Sequence, residues 1–182
     1  MTVTYPTVVL AACGLGLTFA ISACQMDKPE TAAGPNYQAP AATLVPPANL
    51  RSVCFVDPDL MAFRTRMVQQ ELVVGVLSCT GADGSRKLDK QYTAFIQKFT
   101  PELASNASDL KSIVTRKGRN FDVVITEIAN RTAQRPTEDA AFCSRHERAL
   151  EWSLSPSVTS LTQVPSPYDF GPQMNVFPCP GK

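Results

Sequence analysis

The hydrophobic pattern changes character three times along this chain. Residues 8–23 form a nearly unbroken apolar run, and residues 25–50 carry almost no large apolar side chains. From residue 58 to residue 152 apolar positions recur at three- to five-residue spacing, and beyond residue 153 they are scattered among prolines. The third regime has the helical period, which gathers apolar side chains on one face. Asp57-Pro58 opens its first helix, because Asp accepts free amide hydrogens at a cap and Pro fits the first helical position. Leu60, Phe63, Met67, Leu72, Val76 and Leu77 then form the inner stripe up to Cys79, and Arg64, Arg66, Gln70 and Glu71 fall largely off it. Val73-Val74-Gly75 makes the C-terminal half of this helix almost wholly apolar, hence buried.

Thr80-Gly81-Ala82-Asp83-Gly84-Ser85 reads as a turn, since Gly supplies positive φ and Asp or Ser bonds nearby amides. It lacks the spaced oxygen ligands and closing Glu of a calcium loop. Leu88, Tyr92, Phe95, Ile96 and Phe99 give the clearest helical stripe of the chain, and Thr100-Pro101-Glu102 is expected to kink or restart it. The pattern resumes through Leu103, Leu110, Ile113 and Val114 and stops at Arg116-Lys117-Gly118, with cations in the last turn and Gly placed for a left-handed residue. The basic cluster Arg116, Lys117 and Arg119 is read as this helix end and not as a docking patch. Asn120 caps a further helix facing inward with Phe121, Val124, Ile125 and Ile128, and 132–135 breaks it before Pro136. A last helix is expected over about 137–152, with Glu138 and Asp139 in its first turn and Phe142, Ala149 and Leu150 inside.

The fold class that follows is an all-α bundle of four to five helices. Its organisation is a leader over 1–23, a disordered Pro- and Ala-rich tether over 24–50, a helical domain over 51–152 and a proline-rich tail over 153–182. Six prolines forbid regular structure in the tail, but Tyr168, Phe170, Met174, Val176 and Phe177 make it too apolar for a free coil. It is expected to lie across the helices, pinned by Cys179; the alternative is an exposed segment for a peptide-binding partner.

At 182 residues, less leader and tether, the chain supports one domain with a sufficient core. Seventeen Lys and Arg against 16 Asp and Glu leave a formal charge of +1, so no global field draws in nucleic acid. Setting Cys13 and Cys24 aside, Cys54, Cys79, Cys143 and Cys179 remain, an even number that suits two disulfides. A helix over 58–77 would hold Cys54 and Cys79 about 30 Å apart at ~1.5 Å per residue, against the ~7 Å that a disulfide tolerates between Cα atoms. Of the two pairings left, Cys79 with Cys143 and Cys54 with Cys179 is preferred, because the first joins two helices and the second two irregular flanks; the other stays open. No two of these cysteines stand at metal-ligand spacing, so no metal site is expected.

The apolar run ends in Ile21-Ser22-Ala23-Cys24. These residues resemble the lipobox of bacterial lipoprotein precursors, a resemblance confined to about the first 25 residues. It implies cleavage before Cys24, acylation of that cysteine and anchoring to the membrane, since two or more acyl chains at about 0.8 kcal/mol per methylene hold stably where one does not. Gln25 in place of the aspartate that retains family members in the inner membrane implies the periplasmic face of the outer membrane. Leu10-Ala11-Ala12-Cys13 fits the same pattern with a shorter apolar segment, and a plain cleaved leader or an uncleaved anchor are the other readings.

The sole histidine lies in Cys143-Ser144-Arg145-His146-Glu147. Three apart on a helix, Cys143 and His146 can touch, which makes a thiol-dependent hydrolase the one enzymatic reading. It is the minority reading, because Cys143 is the better disulfide partner and His146 reads as a surface or half-buried residue; no catalytic residue, metal or cofactor is assigned. The expected role is a non-catalytic binding or assembly module of the cell envelope that docks a protein segment between helices, similar in architecture to the small helical pilotin lipoproteins. A structural subunit of a larger envelope complex is the alternative.

Overall fold

The computed structural model describes residues 35–41 and 54–180. The lipobox with Cys24, the leader with Cys13 and the rest of the tether lie outside the described residues. Among the described residues there are four α-helices: α1 Asp57–Ser78, α2 Asp89–Arg116, α3 Phe121–Gln134 and α4 Phe142–Leu154. Single turns of 3₁₀-helix lie at Arg135–Thr137, Leu161–Gln163 and Pro172–Met174. The fold is all-α, with disulfides Cys54–Cys179 and Cys79–Cys143, Cα atoms 4.8 and 5.6 Å apart.

Helix α1 is the axis of the domain and packs against each of the other three helices. Three-sided burial explains where the sequence pattern departs from the structure. A stripe of apolar positions covers one face only, yet α1 also buries Arg66 and Glu71, which the periodicity sets outside its stripe. Leu77, expected inside, is 52 % exposed while Val76 and Cys79 on either side of it are buried, and Val73 and Val74 are only half-buried. The cap is Val56, without a side-chain bond, and Asp57 is the first helical residue. Asp57 and Asp59 still favour the N-terminal dipole end.

Helix α2 is continuous through Pro101, so the expected restart does not occur. Pro101 and Gln97 both face solvent, where water can serve the Gln97 carbonyl that loses its proline-blocked partner. Phe95, Phe99 and Leu103 are all buried on the opposite side and hold both halves on one core. The turn over 80–85 carries Gly84 at φ 77°, with Asp83 accepting from the Ser85 amide at 3.0 Å. Gly118 takes φ 68°, and the Asn120 side chain accepts from the amides of Asp122 and Val123. Helix α4 begins at Phe142, five residues later than the pattern suggests. The acids Glu138 and Asp139 stand before it, and Asp139 Oδ1 accepts from the Ala141 amide at 2.8 Å.

The tail crosses the helices with Val158, Leu161, Val164, Tyr168, Phe170, Met174, Val176 and Phe177 buried. Its end pairs with the entry to α1: the Phe55 amide donates to Phe177 O at 2.8 Å and Cys179 N to Phe55 O at 2.9 Å, beside the Cys54–Cys179 disulfide. The basic cluster serves the same seat. Lys117 Nζ donates to Cys54 O at 2.5 Å, Arg119 to Met174 O at 2.9 Å, and Arg116 pairs with Asp59 at 3.1 Å.

Residues 35–41 depart from the expectation of a disordered tether over 24–50. Tyr37 is 1 % exposed, and this short arm runs extended over the tail. Compositional polarity does not anticipate that one aromatic side chain finds a pocket made by residues more than a hundred positions away.

Candidate functional site

The arm lies in a groove walled by residues 165–168 of the tail on one side and by α4 on the other. Its side chains alternate: positions 35, 37 and 39 turn inward, and 36, 38 and 40 face solvent, the period of an extended strand. Ala39 N donates to Pro167 O at 2.8 Å, Tyr37 Oη to Pro165 O at 2.7 Å and Gln38 Nε2 to Ser166 O at 3.4 Å. From α4, one nitrogen of Arg145 donates to the carbonyls of both Tyr37 and Gln38, at 3.0 and 3.1 Å.

Arg145 is held in place by groups outside the arm. Its Nε donates to Asp139 Oδ2 at 2.7 Å, and the same carboxylate accepts from Tyr168 Oη at 2.9 Å. Partial burial opposes charge on Asp139, but the bonds from Arg145, the Ala141 amide and Tyr168 outweigh it and hold the carboxyl below its ordinary range. The Tyr168 hydroxyl is pushed well up, by burial first and by its bond to Asp139 next. Burial, reinforced by Glu71, raises the Tyr37 hydroxyl in the same way.

Beneath the groove lies a buried polar layer. Glu71 is fully buried; its Oε2 accepts from the Tyr168 amide at 2.8 Å, and its Oε1 has no partner among the described residues. Burial raises its carboxyl well above the ordinary range, with Asp169 adding to the rise and the Tyr168 amide and Arg135 opposing it. His146, expected at the surface, is also fully buried. Its Nδ1–H donates to Phe142 O at 2.7 Å, its Nε2 has no partner among the described residues, and its ring lies 4.2 Å from that of Phe142. Burial drops its pKa to about 4, so the imidazole is neutral near pH 7. The ring fits because position 75 is glycine: a Cβ there would stand 2.6 Å from His146 Cγ.

The arm does not fill its groove. A cavity of about 490 Å³ opens beside Pro35 and Gln38, lined by Met61, Arg64 and Thr65 of α1 and by 161–166 of the tail. A smaller one of about 180 Å³ adjoins Ala39 and Pro40, lined by Arg135, Glu138, Asp139, Tyr168 and Gln173. Arg135 lies over the Tyr168 and Phe170 rings, 5.7 and 5.2 Å from their centroids, close enough for cation–π attraction.

The Cys143–His146 pair cannot act as a thiol–imidazole dyad. Cys143 is bonded to Cys79, so there is no thiolate for the imidazole to generate, and His146 turns into the core. Ser144 Oγ donates to Ala141 O at 2.9 Å, a local helix bond. Among the described residues no three His, Cys, Asp or Glu side chains are placed to hold a metal ion. The residues that build the groove, Tyr37, Asp139, Arg145 and Tyr168, do not stand out as a group in the sequence; the one usable signal is that Tyr37 is the only aromatic residue between positions 24 and 50. Compared with protein-family models, with curated proteins and with solved structures, the chain matches none.

Proposed function

We propose that this protein is a bacterial envelope lipoprotein, anchored through Cys24 at the periplasmic face of the outer membrane, whose helical domain docks a protein partner and does no chemistry. The observation that supports docking most directly is the groove that grips an extended segment by its main chain. Arg145, Pro167 and Pro165 address backbone groups and one tyrosine hydroxyl, and cavities continue the groove at both ends of the arm. Main-chain hydrogen bonds give affinity for an extended peptide and side-chain pockets give specificity; here loop carbonyls and Arg145 stand where a sheet edge would. The two disulfides suit an oxidising compartment, and the formal charge of +1 offers nucleic acid no field. The burial of the tail's apolar residues within its own domain supports the docking reading over the subunit reading, in which a neighbouring chain would cover them.

The test is the intact mass of the protein extracted from membranes, with and without reduction and thiol alkylation. The expected result is a start at Cys24 with added acyl mass and four alkylations that appear only after reduction. A soluble, unacylated chain would overturn the anchor.

A further inference from the structure

We infer that residues 35–41 are a displaceable plug in a peptide-docking groove, and that the groove's partner presents an extended, uncharged segment with an aromatic residue flanked two positions away on either side by proline or a small residue. This rests on the docking reading above and names its ligand and its control. The pattern is copied from what the groove already holds: Pro35, Tyr37 and Ala39 point in, and Asn36, Gln38 and Pro40 point out. Only Tyr37 is deeply buried. The other hydrogen bonds go mostly to backbone atoms, which any extended chain supplies, and Ala39 against the core and Gln38 Nε2 on Ser166 O add the remaining side-chain contacts.

Two further observations separate the arm from the rest of the fold. The groove wall is built without it, since the Tyr168–Asp139–Arg145 bonds involve no arm atom. No disulfide reaches the arm either: both lie between residues of 54–179. The arm joins α1 only through the twelve residues 42–53. A segment so joined faces its groove at an effective concentration of order millimolar, so a partner segment displaces it by binding more tightly or by reaching into the flanking cavities that the arm leaves open. Displacement also changes reach. With an anchor at Cys24, ten residues (25–34) separate it from the docked arm and 29 (25–53) separate it from Cys54. At about 3.3–3.6 Å per residue the maximum span rises from roughly 35 Å to roughly 100 Å.

The test uses the mature chain carrying a specific protease site within residues 42–53, and a fluorescent peptide copying residues 33–42, read by anisotropy. After cleavage the peptide is expected to bind saturably and at least tenfold more tightly than to uncut protein, and the same peptide with Tyr37→Ser to bind at least tenfold more weakly. Tyr37→Ser in the uncut chain is expected to raise peptide affinity likewise. Equal binding before and after cleavage, or a cleaved arm that no excess of peptide displaces from a protein with both disulfides intact, would overturn the plug. Arm exchange between two copies, seen as a dimer, would overturn the partner assignment in favour of a second copy. Each of these failures leaves the acyl mass at Cys24 unchanged, so the anchor stands or falls separately.

Discussion

Two proline-rich segments without α-helix or strand cover the helices of this protein, and they are held in opposite ways. The tail after α4 buries eight apolar side chains, ends in a disulfide to Cys54 and is clamped at Met174 O by Arg119. The arm over 35–41 buries one tyrosine, has no covalent link of its own to the domain and is gripped mainly through its backbone. Composition does not distinguish a segment that is part of a core from one that visits it. The difference lies in how much surface is buried and in whether the denatured chain is cross-linked there.

The largest effect expected is on the tail. Replacing Cys54 and Cys179 together by alanine opens a cross-link spanning 125 residues, for which the chain-entropy account gives a loss of about 4 to 5 kcal/mol. Denaturant unfolding would measure it, and protease would then cut within 155–180. A tail that stays protected would show that the disulfide is redundant with its apolar seat.

The buried pair beneath the tail makes stability depend on pH in two directions. The pKa of His146 is depressed in the fold to about 4 from 6.5, so the unfolded chain binds the extra proton. Its contribution is present above pH 6.5 and is lost as pH falls through 4, by about 3 kcal/mol in full. Glu71 is raised in the fold, so the folded chain holds the extra proton. Its contribution is present below the ordinary carboxylate pKa of 4.5 and is lost as pH rises through the folded value. Urea midpoints followed across pH should therefore fall at both ends, and Glu71→Gln should flatten the alkaline limb alone. An unchanged alkaline limb in that variant would place the titration elsewhere.

Gly75→Ala tests the wall from which Arg145 projects, since the added Cβ meets the His146 ring and must push α4 away from α1. A loss of about 2 to 3 kcal/mol is expected from overpacking, with weaker protection of the arm. Tyr37→Ser should have the smallest effect on the domain, about 1.5 to 2 kcal/mol from one aromatic side chain returned to water. Circular dichroism should be unchanged while residues 35–41 become cleavable. Global unfolding in that variant would place the arm with the tail as integral core.

Much of the fold is legible in local patterns. The stripes of Phe95, Phe99 and Leu110 or of Val124 and Ile128 report a helix and its inner face, because each is set by neighbours three and four residues away. Asn120 and Gly118 mark boundaries because caps are local hydrogen-bond and φ requirements. The preferred cysteine pairing is the one in the structure: the helix between Cys54 and Cys79 excludes one of three pairings, and of the two it leaves the structure has the one that joins helix to helix and flank to flank.

The candidate site is not legible in this way. His146 and Glu71 carry polar identities that predict exposure, and their burial follows from α1 having neighbours on three sides and from a glycine at 75 admitting an imidazole. Pro101 marks a boundary by its chemistry, yet its helix continues because both halves share one core and the lost bond faces water. Tyr37 meets Pro165 across 128 positions, a contact with no period to announce it. The chain alone therefore determined where helices form, because those interactions close within a turn of the backbone. Only the tertiary structure decided which polar groups are buried and which irregular segment is clamped or lodged, because those outcomes depend on surfaces that exist only once the helices have packed.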